Sequence, residues 1–244
     1  MFKLNVIDPV RRQQERGIEH AGISPMDPPE AFAPPGLQRV SPEDMHPFLR
    51  CLSEEHACLS QELDTIEEMI QSVKVDGFTA AADRALMGFL QALDRDFIPH
   101  SREEELVLFP LLNERLIKDG EHSKGARVTT AVDVMRDEHL KAVQLAAVVL
   151  NLVRLGSVLP DERSAGIVIN AAVREVTNLV ELLRLHMFRE DNILFASANR
   201  LISPVELDRM SLGGRSERAA KGHDHDQSHD HDGTNASMPV ACGS

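Results

Sequence analysis

At 244 residues the chain suits one ordinary domain with appendages, since domains usually run to ~100–200 residues. A hydrophobic content of 42% supports a real core, but only 4% of residues are aromatic, with no Trp or Tyr; an aliphatic core of this kind favours helices over strands. The net charge of −13 argues against nucleic acid or an anionic membrane surface as a partner and favours the binding of cations.

Residues 1–46 form a proline-rich segment, including Pro28-Pro29 and Pro34-Pro35, which cannot hold a long helix and is expected to be an extended arm. The N-terminus has no apolar leader core, and no run of about 18 uncharged apolar residues occurs, so a soluble, cytoplasmic protein is expected. Cys51, Cys58 and Cys242 make neither a CxxC motif nor a disulfide framework, which fits a reducing compartment.

Residues 47–212 carry apolar stripes at helical 3/4 spacing. The first runs Leu52, His56, Leu59, Leu63, Ile66, Ile70, Val73 and stops at Asp76-Gly77. The second runs Leu86, Phe89, Leu93, Phe97, His100, Glu104, Leu108, Leu111, with Pro99 and Pro110 predicting a kink, and stops at Asp119-Gly120 and Gly125. The third runs Val128, Val132, Met135, His139, Ala142, Ala146, Val149, Val153 and closes at Gly156 and Pro160. The fourth runs Val168, Ala172, Leu179, Leu183, His186, Glu190, Ile193. Ser203-Pro204-Val205-Glu206 has the form of a capping box and predicts a short fifth helix. Long helices with short connections predict an all-α fold, an up-down antiparallel four-helix bundle. Residues 213–244, rich in Gly, His, Asp and Ser, are expected to be a flexible tail.

Each stripe is interrupted by one His, and two of them also by a Glu one turn later. The interruptions repeat: Glu55-His56 matches Glu138-His139, and His100-x3-Glu104-Glu105-x-Val107-Leu108-Phe109 matches His186-x3-Glu190-Asp191-x-Ile193-Leu194-Phe195. This is a duplicated helical hairpin. Counting residues to and from each turn at ~1.5 Å per residue puts His56 level with His100, and His139 level with His186. Residues i and i+4 share a face, so each Glu lies over its own His. His56, His100, Glu104, His139, His186 and Glu190 thus converge in an apolar interior.

Any one of these residues alone would be an ordinary core or boundary side chain. Together they bury two carboxylates with no Lys or Arg at matching positions, at a cost of several kcal/mol each. Metal cations are the direct compensation, and this donor set suits iron, with Mn or Zn as substitutes, rather than Ca or Mg. By helical repeat Arg102 and Arg189 point elsewhere, Glu105 reads as a surface charge and Asp191 as the substitute ligand if the register slips by one. His20, His46 and His122 read as solvent-exposed, and Cys51 and Cys58 as packing residues or surface thiols on a face away from His56.

The pattern His…His-x3-Glu…His…His-x3-Glu, with Leu-Phe after each Glu, resembles the hemerythrin-like (HHE cation-binding) family over about residues 47–200. The resemblance implies a di-iron centre, two Fe ions with the four His as terminal ligands and Glu104 and Glu190 as bridges, and open positions for a small gaseous or peroxide ligand. The oxygen carriers of this fold have a further His one turn beyond the third-helix His, where this chain has Val143, which tells against simple oxygen carriage. The iron–sulfur-repair branch usually adds a Cys-containing N-terminal module, where this chain has its proline-rich arm. No nucleophile–base arrangement or nucleotide loop is visible.

Three roles stay open at this point: reaction with O₂, NO or peroxide in sensing or redox protection; storage or handling of iron or another transition metal; and an iron-responsive regulatory module with an unknown protein partner. The tail segment His223-Asp224-His225 through His229-Asp230-His231 is either a second, loose metal chelator or a solubilising end.

Overall fold

The computed structural model describes residues 40–124 and 128–212. Expectations for the arm up to residue 39, for Gly125 and for the tail from residue 213 lie outside them. Every element among the described residues is helical, and no strand occurs there.

Helix α1 is Pro47–Asp76. Its N-cap is His46, whose imidazole accepts from the Phe48 N–H at 3.2 Å, and Pro47 occupies the first turn, where a missing N–H costs nothing. The same His46 lies 3.3 Å from Asp208 and is mostly covered, so the expectation of a solvent-exposed loop histidine is corrected; His122 is exposed as expected. Gly77, at φ 78°, closes α1 by donating to the Val73 carbonyl.

Helix α2 is a composite rod over residues 80–119. Its α-helical segments Ala80–Ala92, Ile98–Glu103 and Phe109–Asp119 are joined by π-helical turns at Leu93–Phe97 and Glu104–Leu108. Pro99 and Pro110 each follow a π turn by two residues. The wider turn absorbs the carbonyl that a proline ring would otherwise strike, so the expected kink takes the form of an inserted residue. Gly120, left-handed at φ 83°, ends the rod.

Helix α3, Ala131–Val158, starts in a capping box between Thr130 and Asp133, which leaves Val128 in the preceding loop rather than in the helix. Helix α4 is Glu162–Arg189, capped by Asp161, and continues through a π turn at Glu190–Leu194 into Phe195–Leu201. The short helix α5, residues 204–212, begins at the expected box: the Ser203 N–H donates to Glu206 Oε2 at 3.0 Å, and the Glu206 N–H donates to Ser203 Oγ at 3.4 Å.

The π turns decide which residues face inward beyond each Glu. A regular 3/4 pattern puts Leu111 and Ile193 in the core. With one residue inserted, Phe109, Leu112, Leu194 and Phe195 take the buried positions instead, while Leu111 is half-buried and Ile193 is exposed.

α1 packs on α2 and α4, α3 packs along α4, and the last segment of α2 packs on α3. The interior divides into two apolar clusters. One contains Leu59, Leu63, Leu86, Phe89, Phe97, Ala142, Leu179 and Leu183. The other contains Leu49, Leu52, Phe109, Leu112, Met135, Leu194 and Phe195. On each of the four rods the layer between these clusters carries a His, and on α2 and α4 also a Glu. By length and composition α3 could cross a membrane; Leu140, Val143, Val148 and Leu150 lie on its exposed side.

Candidate metal centre

All six residues singled out in the sequence meet in this layer and are buried: His56, His100, Glu104, His139, His186 and Glu190. Two overlapping groups could each hold a metal ion. His56, His100, Glu104 and Glu190 form one; Glu104, His139, His186 and Glu190 form the other. Within each group the donor atoms lie within 4.8 Å of one another. Both carboxylates belong to both groups, whereas each pair of imidazoles comes from one hairpin.

The Nε2 atoms point inward. His56 Nε2 is 2.9 Å from His100 Nε2, and His139 Nε2 is 3.1 Å from His186 Nε2. Glu190 Oε2 lies 3.2 Å from the Nε2 atoms of both His56 and His186, and Glu104 Oε2 lies 3.3 Å from that of His139. None of the four oxygens of Glu104 and Glu190 has a hydrogen-bond partner, although all are buried. Orphaned buried carboxylate oxygens beside converging imidazole nitrogens are the donor set of a transition metal, so the residues present fit metal ions in this layer.

The outer nitrogens are equally ordered. The Nδ1 atom of His56 lies 3.0 Å from Asp191, that of His100 2.8 Å from Glu55, that of His139 2.9 Å from Glu105 and that of His186 3.2 Å from Glu138. Each carboxylate accepts from Nδ1–H, which leaves the Nε2 lone pair free to face inward. These anchors correct the sequence reading of two residues. Glu105 is a support for His139 rather than a plain surface charge, and Asp191 supports His56 rather than standing in as a ligand. The repeat held the signal, since each anchor neighbours a His or Glu of the site: Glu55 before His56, Glu138 before His139, Glu105 after Glu104, Asp191 after Glu190.

The phenylalanines that follow the π turns complete the layer. Phe195 stacks on His56 at 5.6 Å and Phe109 stacks on His139 at 5.8 Å. Each lies five residues after its Glu, so the π turn places one residue type beneath an imidazole of the opposite hairpin. Phe97 sits edge-on to His139 and His186 from the other side. Cys51 and Cys58 are exposed. Arg189 faces Glu138 rather than either of the central carboxylates.

A family model for the hemerythrin HHE cation binding domain matches residues 48–198, more than half of the chain. The chain belongs to the hemerythrin HHE cation-binding family. Membership implies a metal-binding site, typically for iron, and the His/Glu layer of this hemerythrin domain is where such ions fit. Among curated proteins, the iron-sulfur cluster repair protein YtfE of Salmonella typhimurium strain LT2 is 26% identical over 135 residues, 54% of this chain and 56% of that protein. Proteins of the same name from Salmonella paratyphi B and Salmonella newport match to the same extent. The chain therefore spans little more than half the length of the curated relatives it matches.

Without metal, the hemerythrin domain holds protons in the same place. Burial works to lower the His56 pKa, but Asp191 and Glu190 outweigh it and raise it to about 10. His186, likewise opposed by burial, is raised by Glu190 and Glu138 to about 9. Burial, then the charge of Glu190, pushes Glu104 up to about 8. Burial acts to raise Glu190, but His186 and His56 overcome it and hold this carboxyl well below the usual range. Burial and the charge of His186 lower His139.

Metal ions must therefore displace protons from His56, His186 and Glu104 near neutral pH. Groups with raised pKa stay protonated below that pKa, so affinity falls as pH falls below about 10, and most steeply below about 8, where all three hold their protons. Calorimetric Zn²⁺ titration at pH 7 in buffers of different ionisation enthalpy should show about three protons released per chain when the whole layer fills. Zero net release would contradict this proton inventory.

Proposed function

We propose that the four long rods form an up-down antiparallel bundle around two iron ions. One would be held by His56 and His100, the other by His139 and His186, with Glu104 and Glu190 shared between them. We further propose that this centre binds or reacts with a small oxidant, O₂, NO or peroxide, in sensing or in redox and nitrosative protection. The observation that carries the reading is the sharing itself. Two His and two shared carboxylates would leave each ion fewer protein ligands than an octahedral ion takes, so positions would stay open.

Bound there, iron supplies redox chemistry and sites for a small ligand. The chain's own residues do the rest. Asp191, Glu55, Glu105 and Glu138 fix the tautomers of the imidazoles. A cavity of ≈ 340 Å³ reaches His56 and His100 past Leu59, Phe97 and Pro99. Glu55, Arg95 and Asp96 also line this cavity, whose size suits a small ligand. The chain contains no Tyr or Trp that a reactive oxidant could damage. The Salmonella relatives named for iron-sulfur cluster repair support a role in oxidative or nitrosative stress. The two thiols on the bundle surface suit a reducing, cytoplasmic setting.

The test is spectroscopic. Absorption bands of the iron-loaded protein should shift on addition of azide, NO or hydrogen peroxide. An iron-loaded protein indifferent to all three would remove the oxidant reading and leave metal handling in its place.

A further inference from the structure

We infer that Phe97 is a partition: it shuts the His/Glu layer off from the groove between α2 and α3, so that small molecules enter by the cavity beside His56 and His100. Its use to the protein rests on the metal reading above. The duplication fails at this position. By the offset that matches His100 to His186, Phe97 corresponds to Leu183. Both side chains are buried in the same apolar cluster, three residues before a His of the layer. Only α2, however, has a π turn there, at Leu93–Phe97; α4 runs as unbroken α-helix from Glu162 to Arg189.

From the end of that turn the Phe97 ring reaches across to the other hairpin, edge-on to His139 at 5.8 Å and to His186 at 6.1 Å. Its backbone is pinned as well, since the Phe97 carbonyl accepts from Ser101 Oγ at 2.8 Å. The ring is therefore held against the imidazoles of α3 and α4 by a backbone feature that the second hairpin lacks.

What lies outside the ring gives it a task. Three cavities flank α2, and Phe97 is the side chain common to all of them. The first, between α1 and α2, opens onto His56 and His100. The other two form a groove on the α3 side and share Phe97, Ile98 and Val143. The larger of these, ≈ 700 Å³, is lined in part by Arg102, Glu105, Arg136 and His139. Glu105 accepts from Nδ1 of His139, so the groove meets the outer edge of this imidazole, while Nε2 faces His186 inside the layer. Phe97 stands where the groove would otherwise continue inward. A space of that size holds molecules much larger than a diatomic ligand, metal chelators among them. Without the ring it would join the α1/α2 cavity through the layer itself. Phe97 supplies no donor atom; it acts by exclusion and sets the route.

The test labels the histidines of the full-length, metal-free protein with diethyl pyrocarbonate. The reagent attacks an imidazole at its free lone pair, which for His139 is the inward Nε2, because Glu105 holds Nδ1–H. Peptide mass spectrometry reads His139 separately from the histidines of the tail.

Modification of His139 should be slow in the parent, because a closed site is reached only by local unfolding, and about tenfold or more faster in Phe97→Ala. Phe97→Leu, which installs the residue that α4 uses and keeps the core largely filled, should fall between them and serves if Phe97→Ala does not fold. Leu183→Ala removes a buried side chain of the same cluster at the matched position, at a core cost of similar order, and should leave His139 near the parent rate. An equal rise in Leu183→Ala would mean that Phe97 merely packs the core. An unchanged rate in the Phe97 variants would mean that the ring shuts nothing. Either result overturns the inference. The labelling needs no metal, so a chain that takes up no iron in the bundle would overturn the metal reading and leave the partition standing.

Discussion

Replacing Glu104 or Glu190 with alanine should empty both metal positions at once, whereas replacing His56, His100, His139 or His186 should strip chiefly one. The reason is the overlap of the two ligand groups. Each Glu belongs to both, and each His to one. Removal of a mere supporting partner of a metal ligand typically costs about 10–100-fold in affinity, so loss of a ligand shared by two ions should exceed that for both. Iron per chain in either Glu variant should fall below about a tenth of the parent value, and in each His variant to roughly half.

The Glu104 substitution should have the opposite sign on the metal-free protein. There the Glu104 carboxyl is buried with unpartnered oxygens, and removing such a group relieves a penalty of about 1–3 kcal/mol or more. Glu104→Ala should therefore melt no lower than the parent when both are metal-free, and clearly lower when both are supplied with iron. Atomic emission on the purified variants, paired with thermal melts, reads both arms.

Stripping the metal should lower the melting temperature by about 16–32 °C. A ligand present at about a thousandfold excess over its dissociation constant adds about 4 kcal/mol, so two such sites add about 8 kcal/mol. For a domain of this size each kcal/mol moves the midpoint by about 2–4 °C. The loss is large because the metal layer lies between the two apolar clusters, with Leu52 and Leu59 on either side of His56 and Met135 and Ala142 on either side of His139. Helix content should survive, since the caps at His46, Thr79, Thr130 and Asp161 do not depend on metal. Melting followed by circular dichroism before and after chelation measures the shift. A change under about 3 °C would mean that the bundle owes little to bound metal.

Much of this was legible because helical periodicity and duplication reinforce each other. A His that breaks one apolar stripe is ambiguous; four that break four stripes at matching heights are not. The capping box at Ser203 and Glu206 was equally plain, because its signal is local.

The π turns were not legible. An inserted residue leaves no mark on a 3/4 pattern until the positions beyond it are seen, and so Leu111 and Ile193 were expected where Leu112 and Leu194 are buried. The prolines explain the inserted residues in α2, but α4 has the same turn at Glu190–Leu194 with Ala196 in the place of Pro110. The π turn that starts at each Glu therefore recurs with the His-x3-Glu motif whether or not a proline follows. It sets the Phe five residues beyond each Glu under a His of the opposite hairpin. The supporting carboxylates escaped notice for a different reason. Glu105 and Asp191 lie partly on the helix surface, where an acid is unremarkable, and only the three-dimensional arrangement shows them at an imidazole.

The account stands most directly on the position of the metal. Anomalous diffraction at the iron edge, from crystals of the iron-loaded protein, should give two peaks per chain, both between the carboxylates of Glu104 and Glu190. One should lie against His56 and His100, the other against His139 and His186. A single peak, or iron found away from this layer with the six side chains left unliganded, would contradict it.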